Sequence, residues 1–304
     1  MVRVSVCIPV YNGAATVVRS IQSVLAQTYR DFECVVVDNN STDGTADAVA
    51  TVADSRVRLV RNETNIGLVG NHNKCVQTAR GELIQFVHAD DWLLPRSLET
   101  LVPAFDSPNV GFAFARRHVE TTDTSWKALH GRLDGPLQPL SSVNEGPELV
   151  RRYLAAGGDG NPIGEPTSVM VRRDTLIKAG GFRPEVPQLQ DIDAWLRVLI
   201  RSDAAFVDDE LSVRWHHAGS ATDDFAGTPS LDKMWVLTGI ICSGELSYPL
   251  RLRAARLWSI ALARSVKETL CASPGHRMSP LRGCARNVRY VATGQRLRFE
   301  GADA

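Results

Sequence analysis

The sequence predicts an α/β protein with a mostly parallel sheet flanked by helices and a helical extension at its C-terminal end. Three observations predict it. Short runs of apolar, β-branched residues alternate with segments of helical period through the N-terminal third of the chain. The connections between them are short, which favours parallel pairing with right-handed crossovers. Beyond Thr222 the pattern becomes wholly helical.

Val4 to Val10 reads as a buried strand that Tyr11-Asn12-Gly13 breaks. Ala14 to Gln27 carries Val17, Val18, Ile21, Val24 and Leu25 at helical spacing. Phe32 to Val37 is a second strand, ended by Asp38-Asn39-Asn40-Ser41, and Ser41 or Thr42 can cap the helix that runs to Val52. Val57 to Arg61 is a third strand, Asn65-Ile66-Gly67 a turn, Asn71 to Ala79 a helix and Leu83 to Val87 a fourth strand. Ser97 to Phe105 reads as a helix that Pro103 ends or kinks, and Val110 to Arg117 as a strand. Residues 121–147, rich in Ser, Thr, Gly and Pro, read as a long connection over the site. Glu148 to Ala156 is helical, and Gly157 to Pro166 is a Gly/Pro loop. Thr167 to Val171 is a strand, and Asp174 to Ala179 is a short helix closed by Gly180-Gly181. Asp191 to Ile200 is another helix, and Ala205 to Val213 reads as a β-hairpin at the sheet edge. Helices are expected over Leu231 to Gly244, Leu250 to Leu270 and Ser279 to Thr293.

The 304 residues carry no net charge, so nothing global points to nucleic acid. The distribution is uneven. From Leu250 onward there are eleven Lys/Arg against three Asp/Glu, net +8, which leaves −8 on residues 1–249. The six cysteines show no metal-ligand spacing, and Cys7 and Cys34 lie in strand patterns as buried thiols, which suits a reducing compartment. The first apolar run is interrupted by Pro9 and Asn12, unlike a secretory leader. The longest apolar run, Met234 to Cys242, is too short to span a bilayer. A cytoplasmic protein is expected, with peripheral contact to the inner membrane face open to it.

Chemistry concentrates where strands end. Asp90-Asp91 closes the fourth strand at the carboxyl edge of the sheet, where open α/β folds bind ligands. Neighbouring carboxylates repel unless a cation lies between them. A hard divalent ion that also bridges phosphate oxygens would make this a nucleotide-diphosphate site. The plainer alternative is an acidic turn capping the next helix. Pro9-Val10-Tyr11-Asn12 ends a strand at the same edge, where Tyr11 can stack on a ring or serve only as a turn residue. Asp38-Asn39-Asn40-Ser41-Thr42-Asp43-Gly44-Thr45 is poor core material and can meet a nucleobase edge or ribose hydroxyls, or simply cap a helix.

Taken together, these stretches resemble glycosyltransferase family 2, the inverting enzymes of GT-A (Rossmann-like) fold. The resemblance rests on residues 4–13, on Gln27-Thr28-Tyr29-Arg30-Asp31-Phe32-Glu33 and on residues 37–45. It continues through Asn65-Ile66-Gly67, Gly70-Asn71-His72-Asn73, Gly81-Glu82 and His88-Ala89-Asp90-Asp91. It ends with Gly180-Gly181-Phe182, residues 190–197 and His217-Ala218-Gly219-Ser220. Each motif is weak alone; their order and spacing are specific. The resemblance implies that Pro9, Tyr11 and Asp38 line the base and ribose, with Asn12, Asn39, Asn73 and Asp90 also on the nucleotide. It implies Asp90 and Asp91 as metal carboxylates, and His217, with His216 as a rival, closing over the diphosphate or metal. Asp191 becomes the catalytic base; on the residues alone it is equally a helix N-cap, with Asp193 a first-turn charge.

Two positions depart from the family pattern. Asn39 stands where a second acid is common. His88 replaces the first aspartate of the DxD motif, and an imidazole suits Mn²⁺ better than Mg²⁺. The implied activity is transfer of a hexosyl or N-acetylhexosaminyl group from a nucleotide-diphospho sugar, UDP foremost, to an acceptor hydroxyl, with Mn²⁺ or Mg²⁺ and inversion. The products would serve polysaccharide or secondary-metabolite biosynthesis. Residues 1–105 would form the nucleotide-sugar half, 106–222 the acceptor half and 223–304 the helical extension. A homodimer is compatible with this organisation. A non-catalytic sugar-nucleotide-binding scaffold or partner subunit is the alternative. A nicotinamide dehydrogenase would need G-x-G-x-x-G after the first strand, which is absent. Finally, Leu250, Leu252, Leu257, Trp258, Ile260 and Leu262 interleave with Arg251, Arg253, Arg256 and Arg264, which reads as an amphipathic membrane-surface helix or as a packed helix with a solvated basic face.

Overall fold

The computed structural model describes residues 2–217, 229–271 and 278–293. Four strands form the first half of one sheet: β1 (Val4–Val10), β2 (Phe32–Asp38), β3 (Val57–Arg61) and β4 (Leu83–Phe86). They pair in parallel in the order β3-β2-β1-β4. Every residue of β1 is buried, because helices cover both sheet faces, and this is why its sequence is apolar but for Ser5 rather than alternating. Helix α1 (Val17–Leu25) lays Val17, Ile21 and Val24 on the sheet. Helices α2 (Thr45–Ala50) and α3 (Gly67–Thr78) complete the crossovers.

The second half is mixed. β5 is the short pair Trp92–Leu93, α4 is Ser97–Leu101, and Pro103 starts a tighter 3₁₀ turn over Val102–Asp106. β6 (Val110–Glu120), β8 (Val169–Arg172) and β9 (Asp203–Trp215) follow, with β7 (Val143–Asn144) on the β9 edge. Eight of the nine strands run β3-β2-β1-β4-β8-β6-β9-β5, and β7 pairs with β9 off this path. β8 is antiparallel to both β4 and β6, whereas β6 and β9 are parallel. Helices α6 (Gly146–Ala155), α7 (Arg173–Lys178) and α8 (Gln190–Leu199) connect these strands.

Three sequence expectations need correction. The hairpin expected within 205–213 is one continuous strand. Its acidic stretch looks like a turn, but a bulge absorbs it: Val207 pairs with Ala115 and Glu210 with Arg116, which leaves Asp208 and Asp209 outside the register. The helix after β2 is not capped by Ser41 or Thr42. It starts at Thr45 behind Gly44 (φ +89°), and the Ser41 hydroxyl instead accepts the Asn12 N–H at 2.8 Å. The connection 121–147 is not structureless. It contains helix α5 (Thr124–His130), capped by the Asp123 carboxylate accepting from the Trp126 N–H at 2.9 Å, and the strand β7.

Helices α9 (Pro229–Ile241), α10 (Tyr248–Cys271) and α11 (Met278–Thr293) lie where helices were expected. They are not a separate layer. Trp235, Leu237, Ile240 and Ala254 join Phe112, Val171 and Trp195 in one continuous core. No helix among the described residues is long and apolar enough to cross a membrane.

Candidate active site

The carboxyl ends of β1, β2 and β4 meet at one edge of the sheet. Asn12 takes a left-handed conformation (φ +51°), which asparagine tolerates better than most residues. Its N–H donates to Ser41, and its side-chain oxygen accepts the Thr42 N–H at 3.0 Å. These bonds lock the β1 and β2 loops together and leave Tyr11 52% exposed, a ring face open for stacking. Pro9 is buried within β1. Asp38 is fully buried; Oδ1 accepts the Ser41 N–H at 3.0 Å, and Oδ2 lies 3.3 Å from Arg61 Nε without a well-formed hydrogen bond.

Two expected nucleotide contacts point elsewhere. Asn39 Nδ2 donates to Asn65 at 2.8 Å, while its oxygen accepts from Asn62 and from the Ile66 N–H, both at 3.0 Å. Asn73 exchanges two bonds with the Phe182 backbone, at 2.8 and 2.9 Å. Both amides are consumed in holding loops, the first the turn before α3 and the second the Gly180-Gly181-Phe182 turn.

The acid loop after β4 is held from below. The Ser20 hydroxyl donates to the Ala89 and Asp91 carbonyls at 2.9 and 2.6 Å. Arg19 donates to the Asp90 carbonyl at 3.0 Å and lies over the Trp92 and Trp215 rings at 3.9 and 4.8 Å. The adjacent carboxylates have different surroundings. Asp91 is 2% exposed, and its oxygens accept the Trp215 N–H at 3.0 Å and the Thr167 hydroxyl at 2.8 Å. The Asp90 side chain is 33% exposed and faces His217 Nε2 at 3.4 Å. His216 instead stacks on Trp126 at 4.0 Å, so of the two histidines it is His217 that lies beside the acid loop. His88 Nδ1 lies 3.6 Å from Asp91. Desolvation opposes charge on that ring, but the Asp91 contact and the charges of Asp91 and Asp90 outweigh it and raise its pKa.

No group of three or more His, Cys, Asp or Glu able to hold a metal occurs among the described residues. Asp90 and His217 nevertheless fit an ion that takes its other ligands from diphosphate oxygens and water, the usual arrangement at phosphate-bound divalent cations. One carboxylate and one imidazole favour Mn²⁺ in that role.

Asp191 begins α8. Its Oδ2 accepts from Asn161 Nδ2 at 2.8 Å and its Oδ1 from the Ile192 N–H at 2.7 Å. Burial pushes its carboxyl up to about 6 against the lowering effect of those bonds. Asp193, two residues on, is buried between Arg183 and Arg197.

The loop 161–168, read from sequence as a Gly/Pro connection ending at Pro166 and a strand from Thr167, holds both Asp191 and the acid loop. Asn161 holds Asp191. Thr167 donates to Asp91 and accepts the His88 N–H at 3.1 Å. Glu165 pairs with Arg117 and Arg214. Burial would raise the Glu165 carboxyl, but the two guanidinium groups bring it down to about 2. The signal available in the sequence was a polar side chain at Asn161, Glu165 and Thr167 inside a stretch whose only apolar members are Ile163 and the prolines. On the far side of the loop lies a cavity of about 200 Å³ lined by Arg116, Arg117, Arg132, Asp134 and Glu210.

Gly164 makes the loop's bend feasible. It sits at φ +125°, and a Cβ there would fall 2.3 Å from the Ser168 hydroxyl. Gly164→Ala is expected to cost roughly 1–3 kcal/mol. Chemical denaturation measures this, and an unchanged midpoint would mean that the loop yields.

Comparison with known proteins agrees with this fold. The sequence model of Glycosyl transferase family 2 matches residues 5–178. MT1568, an uncharacterized protein of Mycobacterium tuberculosis, is 44% identical over 276 residues, covering 90% of this chain and 86% of its own. The Escherichia coli UDP-Glc:alpha-D-GlcNAc-diphosphoundecaprenol beta-1,3-glucosyltransferase WfgD is 34% identical over 116 residues, 38% of this chain and less than half (46%) of its own length. Among solved structures, S. aureus TarS 1-349 in complex with UDP-GlcNAc superposes with a TM-score of 0.69 at 17% identity, over 95% of this chain and 81% of that one. The mannosyltransferase PcManGT from Pyrobaculum calidifontis, in complex with GDP-Man and Mn²⁺, gives 0.60 at 19% identity, over 96% of this chain and 84% of that one. At such identities the structural likenesses speak for the fold.

Proposed function

This chain belongs to glycosyl transferase family 2 and is a glycosyltransferase of GT-A fold, and on that premise we propose that it transfers a sugar from a UDP-linked donor to an acceptor hydroxyl, with inversion and with a divalent metal. The observation that carries this reading is a pair of unlike carboxylates, one held by Asn161 and the other open to the cleft. Asp191 is tuned to about 6, and Asp90 is open beside His217.

Each residue then has a chemical task. Deprotonated Asp191 accepts the proton of the acceptor hydroxyl as that oxygen attacks the anomeric carbon. Asn161 and the Ile192 N–H fix the direction of the carboxylate. Tyr11 stacks on the base, and buried Asp38 fixes, through the Ser41 N–H, the loop that meets the ribose. Asp90 and His217 would hold the metal, which when bound neutralises charge on the departing diphosphate. A two-step retaining route would need a second carboxylate as nucleophile, and Glu165 is unsuited because Arg117 and Arg214 tie up its charge. The names of TarS and WfgD support UDP, and that of PcManGT supports Mn²⁺. The free cysteines among the described residues, with Cys7, Cys34 and Cys75 buried, fit a cytoplasmic setting.

Asp90→Asn tests the metal assignment, since it replaces the accessible charge by a neutral amide of the same shape. Calorimetry with UDP is expected to show Mn²⁺-dependent binding in the parent and none in the variant. Equal affinities in the two would overturn the assignment. Inversion is read separately from the anomeric configuration of the product by NMR.

A further inference from the structure

Helix α10 has a solvent face whose composition calls for a partner. Its inner face is settled: Ala254, Ala261 and Ser265 are buried, and Leu257 and Trp258 pack on the main core. The outer face carries Tyr248, Leu252, Arg256, Ile260, Ala263, Arg264 and Lys267, which, apart from the adjacent Ala263 and Arg264, follow one another at three or four residues along one side of the helix. Tyr248, Leu252 and Ile260 are 69%, 51% and 44% exposed. Ile260, Ala263, Arg264 and Lys267 border a shallow groove.

The basic residues of this helix divide into two kinds, and its one acid, Glu268, accepts from the Ser230 hydroxyl at 2.7 Å. Arg251 donates to the Ile241 carbonyl at 2.8 Å, and Arg253 donates to that of Leu154 at 3.2 Å, so these two fasten the helix to the body. Arg256, Arg264 and Lys267 have no acidic partner among the described residues. From Tyr248 to Lys267 the sequence contains no Asp or Glu at all. The result is a strip about 30 Å long in which unpaired cations alternate with exposed apolar side chains.

We propose that this outer face of α10 docks on an anionic lipid bilayer, with Leu252 and Ile260 entering the interface and Arg256, Arg264 and Lys267 meeting the headgroups. Such a strip matches a surface that is negative outside and apolar beneath. A second copy of the chain fits it less well, because a twofold contact would bring the same unpaired cations face to face. The proposal does not depend on the identity of the donor or of the metal.

The test is co-sedimentation of the full chain with phosphatidylcholine vesicles made with and without phosphatidylglycerol. The expected result is retention on the anionic vesicles, little on the neutral ones, and release at high salt. Each basic residue near such a surface strengthens partitioning about fivefold, so the triple change R256Q/R264Q/K267Q should lower it on the order of a hundredfold. Leu252→Ser with Ile260→Ser should weaken it on the same vesicles, and melting curves confirm that both variants fold. The proposal is overturned if the parent stays in solution with anionic vesicles, if it binds neutral vesicles equally well, or if the triple variant partitions like the parent. Loss of a dimer in the Leu252/Ile260 variant, seen by size exclusion, would also overturn it and would assign the face to self-association.

Discussion

An Asp191→Asn enzyme is expected to bind its nucleotide sugar like the parent and to transfer the sugar roughly 10²- to 10⁴-fold more slowly, the usual contribution of a positioned general base. The amide keeps the shape of the carboxylate but has no charge with which to accept a proton. Donor binding is spared because the groups proposed to hold the nucleotide, Tyr11, Asp38 and Asp90, lie on the other strand ends. The parent should also show a signature that the variant lacks. Only the deprotonated carboxylate can act, and burial has raised its pKa to about 6. Transfer at saturating donor should therefore climb as pH rises through about 6 and level off above it. A variant rate within tenfold of the parent would remove Asp191 from the reaction.

Asp193→Asn, two residues along the same helix, should fail differently. Asp193 accepts from Arg183 Nε at 2.8 Å and from Arg197 Nη2 at 2.7 Å, with all three side chains buried. The same guanidinium groups reach the Trp235 carbonyl at 2.9 Å and the Gly181 carbonyl at 2.6 Å. Removing the anion leaves two cations buried against each other, a loss of roughly 3–5 kcal/mol. Urea denaturation measures it, and activity per folded molecule should stay near that of the parent. Burial works against the Asp193 charge, but the two arginines more than offset it and hold the carboxyl below its usual range. Its stabilisation is thus complete above the unfolded value of about 4 and is lost as pH falls below that. An unfolding midpoint that Asp193→Asn leaves in place would refute this role.

The first half of the fold was legible because a strand buried on both faces must be mainly apolar, and β1, β2 and β4 are, with Ser5, Glu33, Asp38 and Gln85 as their polar members. Helix α8 and the three C-terminal helices were legible from their period. β9 was not, because Asp208 and Asp209 carry the polarity of a turn and only a bulge against β6 explains them. In the site, the ends of strands could be read and the braces could not. Nothing local distinguishes Asn73, which holds the Phe182 backbone, from an asparagine that meets a ligand. Asp90 and Asp91 are chemically identical in sequence. Thr167 and the Trp215 backbone, distant along the chain, are what separate the enclosed carboxylate from the open one.

That loop 161–168 touches both Asp191 and the acid loop has a consequence for how this enzyme can vary. A substitution that shifts Asn161 moves Asp191, and the same displacement passes along a short, glycine-bent backbone to Thr167 and hence to Asp91 and His88. Changes on the two sides of the cleft share a partner and so are not additive. Acceptor preference and donor preference become epistatic traits: a replacement neutral in one background turns harmful in another. New specificities in this chain are reached more readily by paired substitutions spanning the loop than by tuning either side alone.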